Sequence, residues 1–154
     1  MPVKVVFIGN YVGGDDGIGP FLFEKLKDDK RLKDFELMEL GVIGFDLISY
    51  VGDGDKLIIV DAVRAEKNIG DVVHLKEINL SKDLKLISQH DFGVEETATI
   101  LRSHYPKIKS IDVVGIKVNQ PKAFTVGLSQ ALMDRIPEIK EEVIKLIIKI
   151  SKQN

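Results

Sequence analysis

The chain has 154 residues, of which 44% are hydrophobic and 30% are charged, and its formal net charge at pH 7 is −2. This length fits one domain, residues 1–154, with a sizeable core. The 22 Lys and Arg residues do not exceed the 24 Asp and Glu residues, so no basic excess exists to neutralise phosphates and we expect no nucleic-acid partner. Because the sequence contains no cysteine, disulfides, zinc–thiolate sites and a cysteine nucleophile are excluded.

Membrane insertion and export are not expected either. No apolar run approaches the length that a membrane-spanning helix needs. The N-terminal Met1-Pro2-Val3-Lys4 leads directly into the first apolar segment, without the pattern of a signal peptide. The sequence therefore predicts a cytoplasmic protein that has no membrane partner.

Strands and helices alternate along the chain. The predicted strands are Val3–Gly9, Phe35–Leu40, Leu57–Val60, Asp71–Ile78 and Ser110–Val118. The predicted helices are Gly17–Lys27, Phe45–Val51, Val94–His104, a short helix that Ser129 caps and that ends at Arg135, and Glu138–Lys152, with Asn119–Val126 as a loop. The first and third strands are apolar throughout, as buried parallel strands are, whereas the fourth alternates like an edge strand. This order predicts an α/β fold, a three-layer α/β/α domain around a mostly parallel sheet.

A glycine-rich turn follows the first strand and carries two adjacent acids, Asp15 and Asp16. Strand, glycine turn and helix is the order of nucleotide-binding proteins, in which the phosphate contacts the N–H groups of the helix N-terminus. Two carboxylates oppose a phosphate at that place and suit a cation instead. Pro20 is tolerated only in the first helical turn, so the helix is expected to begin at about Gly17, with the carboxylate of Asp16 free just outside it.

The acids that follow the strands are the candidate functional residues, because ligands of such sheets bind beyond the carboxyl ends of the strands. Glu39 lies at the end of the second predicted strand, and Asp61 ends the third. His90 stands among polar residues in a loop before a helix and could reach the same edge. Asp16, Asp61 and His90 together form an oxygen and nitrogen ligand set that suits nickel, zinc, iron or manganese and leaves positions open for substrate.

Two other histidines and one serine are weaker candidates. His74 lies in the middle of a strand, and His104 lies at a helix C-terminus, where the helix dipole favours a cation. The segment Gly127-Leu128-Ser129-Gln130-Ala131 superficially resembles a nucleophile elbow, but it does not follow a strand directly and no histidine comes after Ser129 to act as base. We therefore interpret Ser129 as a helix cap.

In order and spacing, these motifs resemble the hydrogenase maturation endopeptidases, which process the large subunit of nickel–iron hydrogenases. The resemblance covers the chain from Val3 to about Ile136. It is carried by Gly9-Asn10 and Gly14-Asp15-Asp16-Gly17-Ile18-Gly19-Pro20, by Glu39-Leu40-Gly41-Val42-Ile43-Gly44, by Val60-Asp61-Ala62-Val63 with Gly70, by Ser88–His90, by Val114-Gly115-Ile116 and by Gly127-Leu128-Ser129.

The resemblance implies an aspartate-type or metal-dependent endopeptidase that removes a C-terminal extension from the large-subunit precursor after nickel has been inserted. It implies Asp16, Asp61 and His90 as metal ligands, with the nickel supplied by the precursor, and Asp16 and Glu39 as catalytic residues. The family usually has Asp where this chain has Glu39, which makes that role the less direct expectation. The metal would either polarise the scissile carbonyl and activate water, or serve recognition alone while a carboxylate acts as general base.

The resemblance also implies a mixed five-stranded sheet, mostly parallel, with one antiparallel strand. We expect a monomer whose partner is the hydrogenase large-subunit precursor. The alternative is a phospho-receiver-like signalling domain, in which Asp15 and Asp16 follow the first strand, Asp61 is the acceptor and Lys117 follows the last strand. Receivers, however, have no glycine loop between the first strand and the acids. A dinucleotide-binding domain with Glu39 on the ribose is a third interpretation.

Overall fold

A computed structural model describes residues 3–41, 46–79, 94–119, 122 and 124–153. The predicted ligand His90 lies outside the described residues, together with the rest of the Ser88–His90 motif. Residues 42–45 of the motif that follows Glu39 also lie outside them.

Five strands form one mixed sheet. They are β1 (Val3–Ile8), β2 (Glu36–Leu40), β3 (Lys56–Arg64), β4 (Val72–Lys76) and β5 (Ser110–Val118). Their order across the sheet is β2-β1-β3-β5-β4. β2, β1, β3 and β5 are parallel to one another, and β4 pairs antiparallel with β5 at the edge. The mostly parallel five-stranded sheet that the resemblance implies is confirmed, and so is the edge position of the fourth predicted strand.

Helices cover both faces of this sheet. They are α1 (Ile18–Leu26), α2 (Asp46–Tyr50), α3 (Val94–His104), α4 (Gln130–Met133) and α5 (Ile136–Ser151). On one face, Phe7 and Val60 of the sheet pack in a core with residues of α1 and α5. On the other face, Val6 and Ile59 pack in a second core with residues of α2 and α3. The predicted three-layer arrangement is thus confirmed, since alternate side chains of each strand supply the two cores.

Two predicted boundaries near the acids are wrong. β3 does not end at Asp61 but continues to Arg64, because β5 runs beside it and supplies backbone partners over the whole length. A short 3-10 helix, Gly14–Gly17, precedes α1, and Asp16 within it is fully buried instead of free. The other elements lie within two residues of their predicted bounds.

Two glycines allow the turn to lie tightly against the end of β1. A Cβ atom at Gly9 would lie 2.3 Å from the carbonyl oxygen of Asp16, and one at Gly19 would lie 2.0 Å from that of Ile8. Only glycine permits backbones to approach so closely. The 3-10 helix therefore reaches β3, which brings Asp16 to Asp61.

Of the helices in the described ranges, none has the length and apolar character needed to cross a membrane.

Candidate active site

Asp16 is fully buried in the turn after β1. The backbone N–H of Asn10 donates to Oδ2 of Asp16 at 3.2 Å and to the Asp16 carbonyl oxygen at 3.2 Å. Oδ1 of Asp16 has no hydrogen-bond partner among the described residues. Burial outweighs the single hydrogen bond to the carboxylate and raises the pKa of Asp16 to about 7. This carboxyl group can therefore exchange a proton near neutral pH.

Asp61 is equally buried, within β3. Its Oδ1 accepts a hydrogen bond of 2.8 Å from the backbone N–H of Ala62, and its Oδ2 has no partner in the part of the chain that is described. Burial and, secondly, the charge of Asp16 raise the pKa of Asp61 well above its usual value of 3.8. The two carboxyl groups, which we call the acid pair, thus share one desolvated environment.

The acid pair has the chemistry of an incomplete cation site. A buried carboxylate without a partner is costly, so a proton or a cation has to compensate each ionised group. No group of three or more His, Cys, Asp or Glu side chains that could hold a metal occurs within the described residues. Two of the three predicted ligands are therefore brought together, and the third, His90, lies outside those residues.

Asp15, the neighbour of Asp16, has a structural role. The backbone N–H of Ser129 donates to its Oδ1 at 2.6 Å, and the Ser129 hydroxyl donates to its Oδ2 at 2.8 Å. Ser129 in turn caps α4 by accepting a hydrogen bond of 3.4 Å from the N–H of Leu132. The predicted role of Ser129 as a helix cap is confirmed, and the two adjacent acids differ in their hydrogen-bond partners.

Glu39 is not brought to the acid pair. It is exposed on the edge strand β2, where it is aligned with Phe7 of β1, and Phe7 is aligned with Val60 of β3. Paired residues of parallel strands point to the same face, so Glu39 and Val60 share a face, whereas Asp61, the next residue of β3, points to the other.

The two described histidines do not join the acid pair. Nε2 of His74 lies 2.7 Å from Oδ1 of Asp112 across the β4–β5 pair, which the strand pattern did not reveal. Nδ1 of His104 lies 3.1 Å from the carbonyl oxygen of Ile100 at the end of α3. Each of these histidines thus has a partner away from the acid pair.

Residues of the predicted loop Asn119–Val126 lie beside the glycine turn. The N–H of Gly14 donates to Thr125 at 2.8 Å, the N–H of Thr125 to Val12 at 2.8 Å, and the N–H of Lys122 to Gly13 at 3.1 Å. A cavity of about 410 Å³ lies between this segment and the turn. The sequence does not predict this cavity. The residues that line it include glycines and isolated apolar residues without periodicity, and such a pattern does not distinguish a binding surface from an ordinary loop.

Comparisons with known proteins agree with this fold. A family model for HycI, hydrogenase maturation protease, matches residues 20–146. Protein FrxA of Pyrococcus furiosus is 30% identical over 138 residues, which are 87% of this chain and 96% of the relative. The hydrogenase 2 maturation protease of Escherichia coli is 26% identical over 147 residues, 94% of this chain and 89% of the relative.

Two solved structures show the same fold. The hydrogenase maturation protease HybD from Thermococcus kodakarensis has a TM-score of 0.75 at 23% identity and covers 96% of this chain and 99% of its own. The maturating endopeptidase HybD from Escherichia coli has a TM-score of 0.74 at 23% identity and covers 97% and 93%.

The family match covers most of the chain, so the receiver and dinucleotide-binding alternatives are set aside. The chain belongs to the hydrogenase maturation protease family, whose members are peptidases.

Proposed function

We propose that this protein removes the C-terminal extension of a hydrogenase large-subunit precursor once that precursor carries nickel. The observation that carries the proposal is the acid pair: Asp16 and Asp61 are fully buried, and each has one oxygen without a partner among the described residues. Family membership supports the peptidase activity and the class of substrate. Cytoplasmic location and a monomeric state stay predictions of the sequence.

The unpartnered oxygens favour a divalent cation that arrives with the substrate. Burial keeps both carboxyl groups from ionising readily, and a cation reverses that penalty. Two carboxylates alone are a weak set, so we propose that Asp16, Asp61 and His90 contact the nickel only while the precursor contributes further ligands. Docking would then require a precursor whose metal centre is complete. Bound there, nickel would supply Lewis-acid chemistry or serve recognition alone.

Hydrolysis also needs a group that takes a proton from the attacking water. Asp16 is the first candidate for this role, because Oδ2 of its carboxylate accepts the N–H of Asn10 and Oδ1 has no partner among the described residues. Glu39 is the second catalytic candidate. Because it is exposed on the edge strand β2, it would act only on a substrate segment that passes over that edge.

The test compares nickel-loaded and nickel-free precursor. Each is incubated with the enzyme, and the mass of the large subunit is measured over time. We expect only the loaded form to lose its extension. Asp16→Asn, Asp61→Asn and His90→Ala should each lower the processing rate by at least about 100-fold, the usual contribution of a positioned acid or base.

Two variants serve as matched controls for these substitutions. Asp28→Asn and His104→Ala make the same chemical changes at exposed positions and should process the precursor at the wild-type rate. Equal cleavage of loaded and nickel-free precursor would contradict the role of nickel. Full activity of His90→Ala would contradict its assignment as the third ligand.

A further inference from the structure

The cavity beside the acid pair has no role in the function proposed above. One wall is the turn at Gly14 and Asp15, and the opposite wall is formed by residues between Lys122 and Ala131. Backbone hydrogen bonds join the turn to Lys122 and Thr125 and hold these walls together. The turn that carries Asp16 thus also forms the cavity.

Asp16 lies close to the cavity along the chain, because Gly14 and Asp15 line the cavity and Asp16 follows them directly. A Cβ atom at Gly13 would lie 3.1 Å from Cβ of Asp16, and one at Gly14 would lie 3.4 Å from Cβ of Lys122. Two successive turn residues therefore face the acid and the cavity. An extended peptide advances about 3.4 Å per residue, so a substrate bound at Asp16 reaches the cavity within a few residues.

The lining of the cavity combines apolar side chains with a cation. The apolar residues that line it include Ile69, Val126, Leu128 and Ala131, and Lys122 supplies the positive charge. Such a lining suits a peptide with an apolar side chain and a nearby carboxylate or carbonyl oxygen. Asp15 also lines the cavity, and each oxygen of its carboxylate accepts a hydrogen bond from Ser129.

Large apolar side chains stand exposed on the two paired segments. The exposed fractions are 66% for Tyr11, 95% for Phe124 and 65% for Val126. Phe124 also has a φ of +57°, which is uncommon for an aromatic residue and marks a backbone held in place by its surroundings. Exposed apolar groups clustered beside a cavity are typical of a surface that another protein segment covers.

We propose that the cavity and these exposed side chains bind the C-terminal extension of the precursor, the segment that the enzyme removes. This inference rests on the proposed function, in which the nickel-bearing body of the precursor lies at Asp16 and Asp61. The polypeptide that leaves the acid pair across the glycine turn enters the cavity. There an apolar side chain of the extension fills the space, and Lys122 contacts a carbonyl or carboxylate oxygen of the same segment.

Filling the cavity tests the proposal. Ala131 is exposed on α4 and lines the cavity, so Ala131→Phe occupies the space without disturbing a core. We expect its KM for nickel-loaded precursor to rise about tenfold or more, the effect of denying an apolar group its pocket. Val126→Asp, which places a charge at a second exposed lining position, should act alike. Gln130→Phe, exposed on the same helix but not part of the lining, should keep the wild-type KM.

Binding of the mature large subunit, which lacks the extension, separates this role from a general loss of docking. The wild type should bind the precursor more tightly than the mature subunit, and Ala131→Phe and Val126→Asp should lose that difference while binding the mature subunit normally. An unchanged KM in both variants, or an equal loss of affinity for both subunits, would overturn the inference. A failure of the proposed nickel dependence would give a different result from a failure of this inference. The wild type would then cleave both the nickel-loaded and the nickel-free precursor, while these variants would still show a raised KM.

Discussion

At the scale of single residues, two adjacent aspartates differ because of what surrounds them. Asp15 accepts two hydrogen bonds from Ser129, so its charge is well compensated. Asp16 and Asp61 each accept one backbone hydrogen bond at the carboxylate and keep one oxygen unpartnered within the described ranges. Their ionised forms therefore cost free energy until a cation or a proton binds. A site that binds a cation requires this property.

The pKa of Asp16 predicts how stability depends on pH in the absence of added metal. The pKa of an unfolded aspartate is 3.8, and the pKa of Asp16 in the folded protein is about 7. Between these two pH values, the folded state therefore keeps a proton on Asp16 that the unfolded state has released. The contribution of Asp16 to the free energy of unfolding should therefore fall as pH rises from about 4 to about 7 and level off above. Asp61, whose pKa is also raised, adds a loss of the same sign. Asp16→Asn removes the contribution of Asp16 and should be more stable than the wild type at pH 8, by about 1–4 kcal/mol.

Urea denaturation between pH 4.5 and pH 8 in the presence of a chelator measures this dependence. The exposed Asp28→Asn variant is the control and should follow the wild-type curve. If Asp16→Asn kept the wild-type dependence on pH, the assignment of a raised pKa to Asp16 would be wrong.

At the scale of elements, α4 depends on contacts far along the chain. It has only four residues, too few to form a stable helix alone. Ser129 caps it, and Asp15, in the turn after β1, holds Ser129. The same turn pairs with Lys122 and Thr125. The turn is therefore the element that joins the acid pair to the last third of the chain.

Removal of either member of this contact should destabilise the protein. Ser129→Ala removes the hydroxyl that bonds to Asp15 and caps α4, and Asp15→Ala removes both acceptors. Each should lower the free energy of unfolding by about 1–2 kcal/mol. The double variant should lose less than the sum, because the two substitutions break the same contact. Urea denaturation of the four proteins measures the coupling, and strictly additive losses would contradict it.

At the scale of the whole molecule, the sheet separates the candidate carboxylates. Glu39 points to the face that carries Phe7 and Val60, and Asp61 points to the opposite face. The sheet order places β1 between the strands that carry Glu39 and Asp61. A shared proton or a shared cation between Glu39 and the acid pair is therefore opposed by the topology.

This separation predicts unequal effects on catalysis. Glu39→Gln should retain at least about a tenth of the processing rate, whereas Asp16→Asn should lose about 100-fold or more. Mass measurement of the large subunit during single-turnover cleavage compares the two variants with the wild type. Equal losses would show that the substrate brings Glu39 into the reaction by crossing the edge strand.

Much of the fold was predictable because hydrophobic periodicity is a local property. The bounds of α3 and β5 agree with the predicted segments residue for residue. The end of β3 was not predictable, since the polar Asp61 resembles the end of an apolar run, while the strand is continued by its pairing with β5. Of the candidate site, Asp16 was recognisable by its place after an apolar strand, Asp61 by the apolar run that precedes it, and both by the family motifs.

By itself the sequence determined the alternation of strands and helices, the family, and the acids at the carboxyl edge of the sheet. Only the tertiary structure decided which of the adjacent acids Asp15 and Asp16 keeps a carboxylate oxygen without a partner among the described residues. Ser129, which binds both oxygens of Asp15, comes 114 residues later in the chain. The cavity arises in the same way, from a turn near the start of the chain and residues near its end. Burial and hydrogen bonding at this site depend on such distant contacts, and local sequence patterns do not record them.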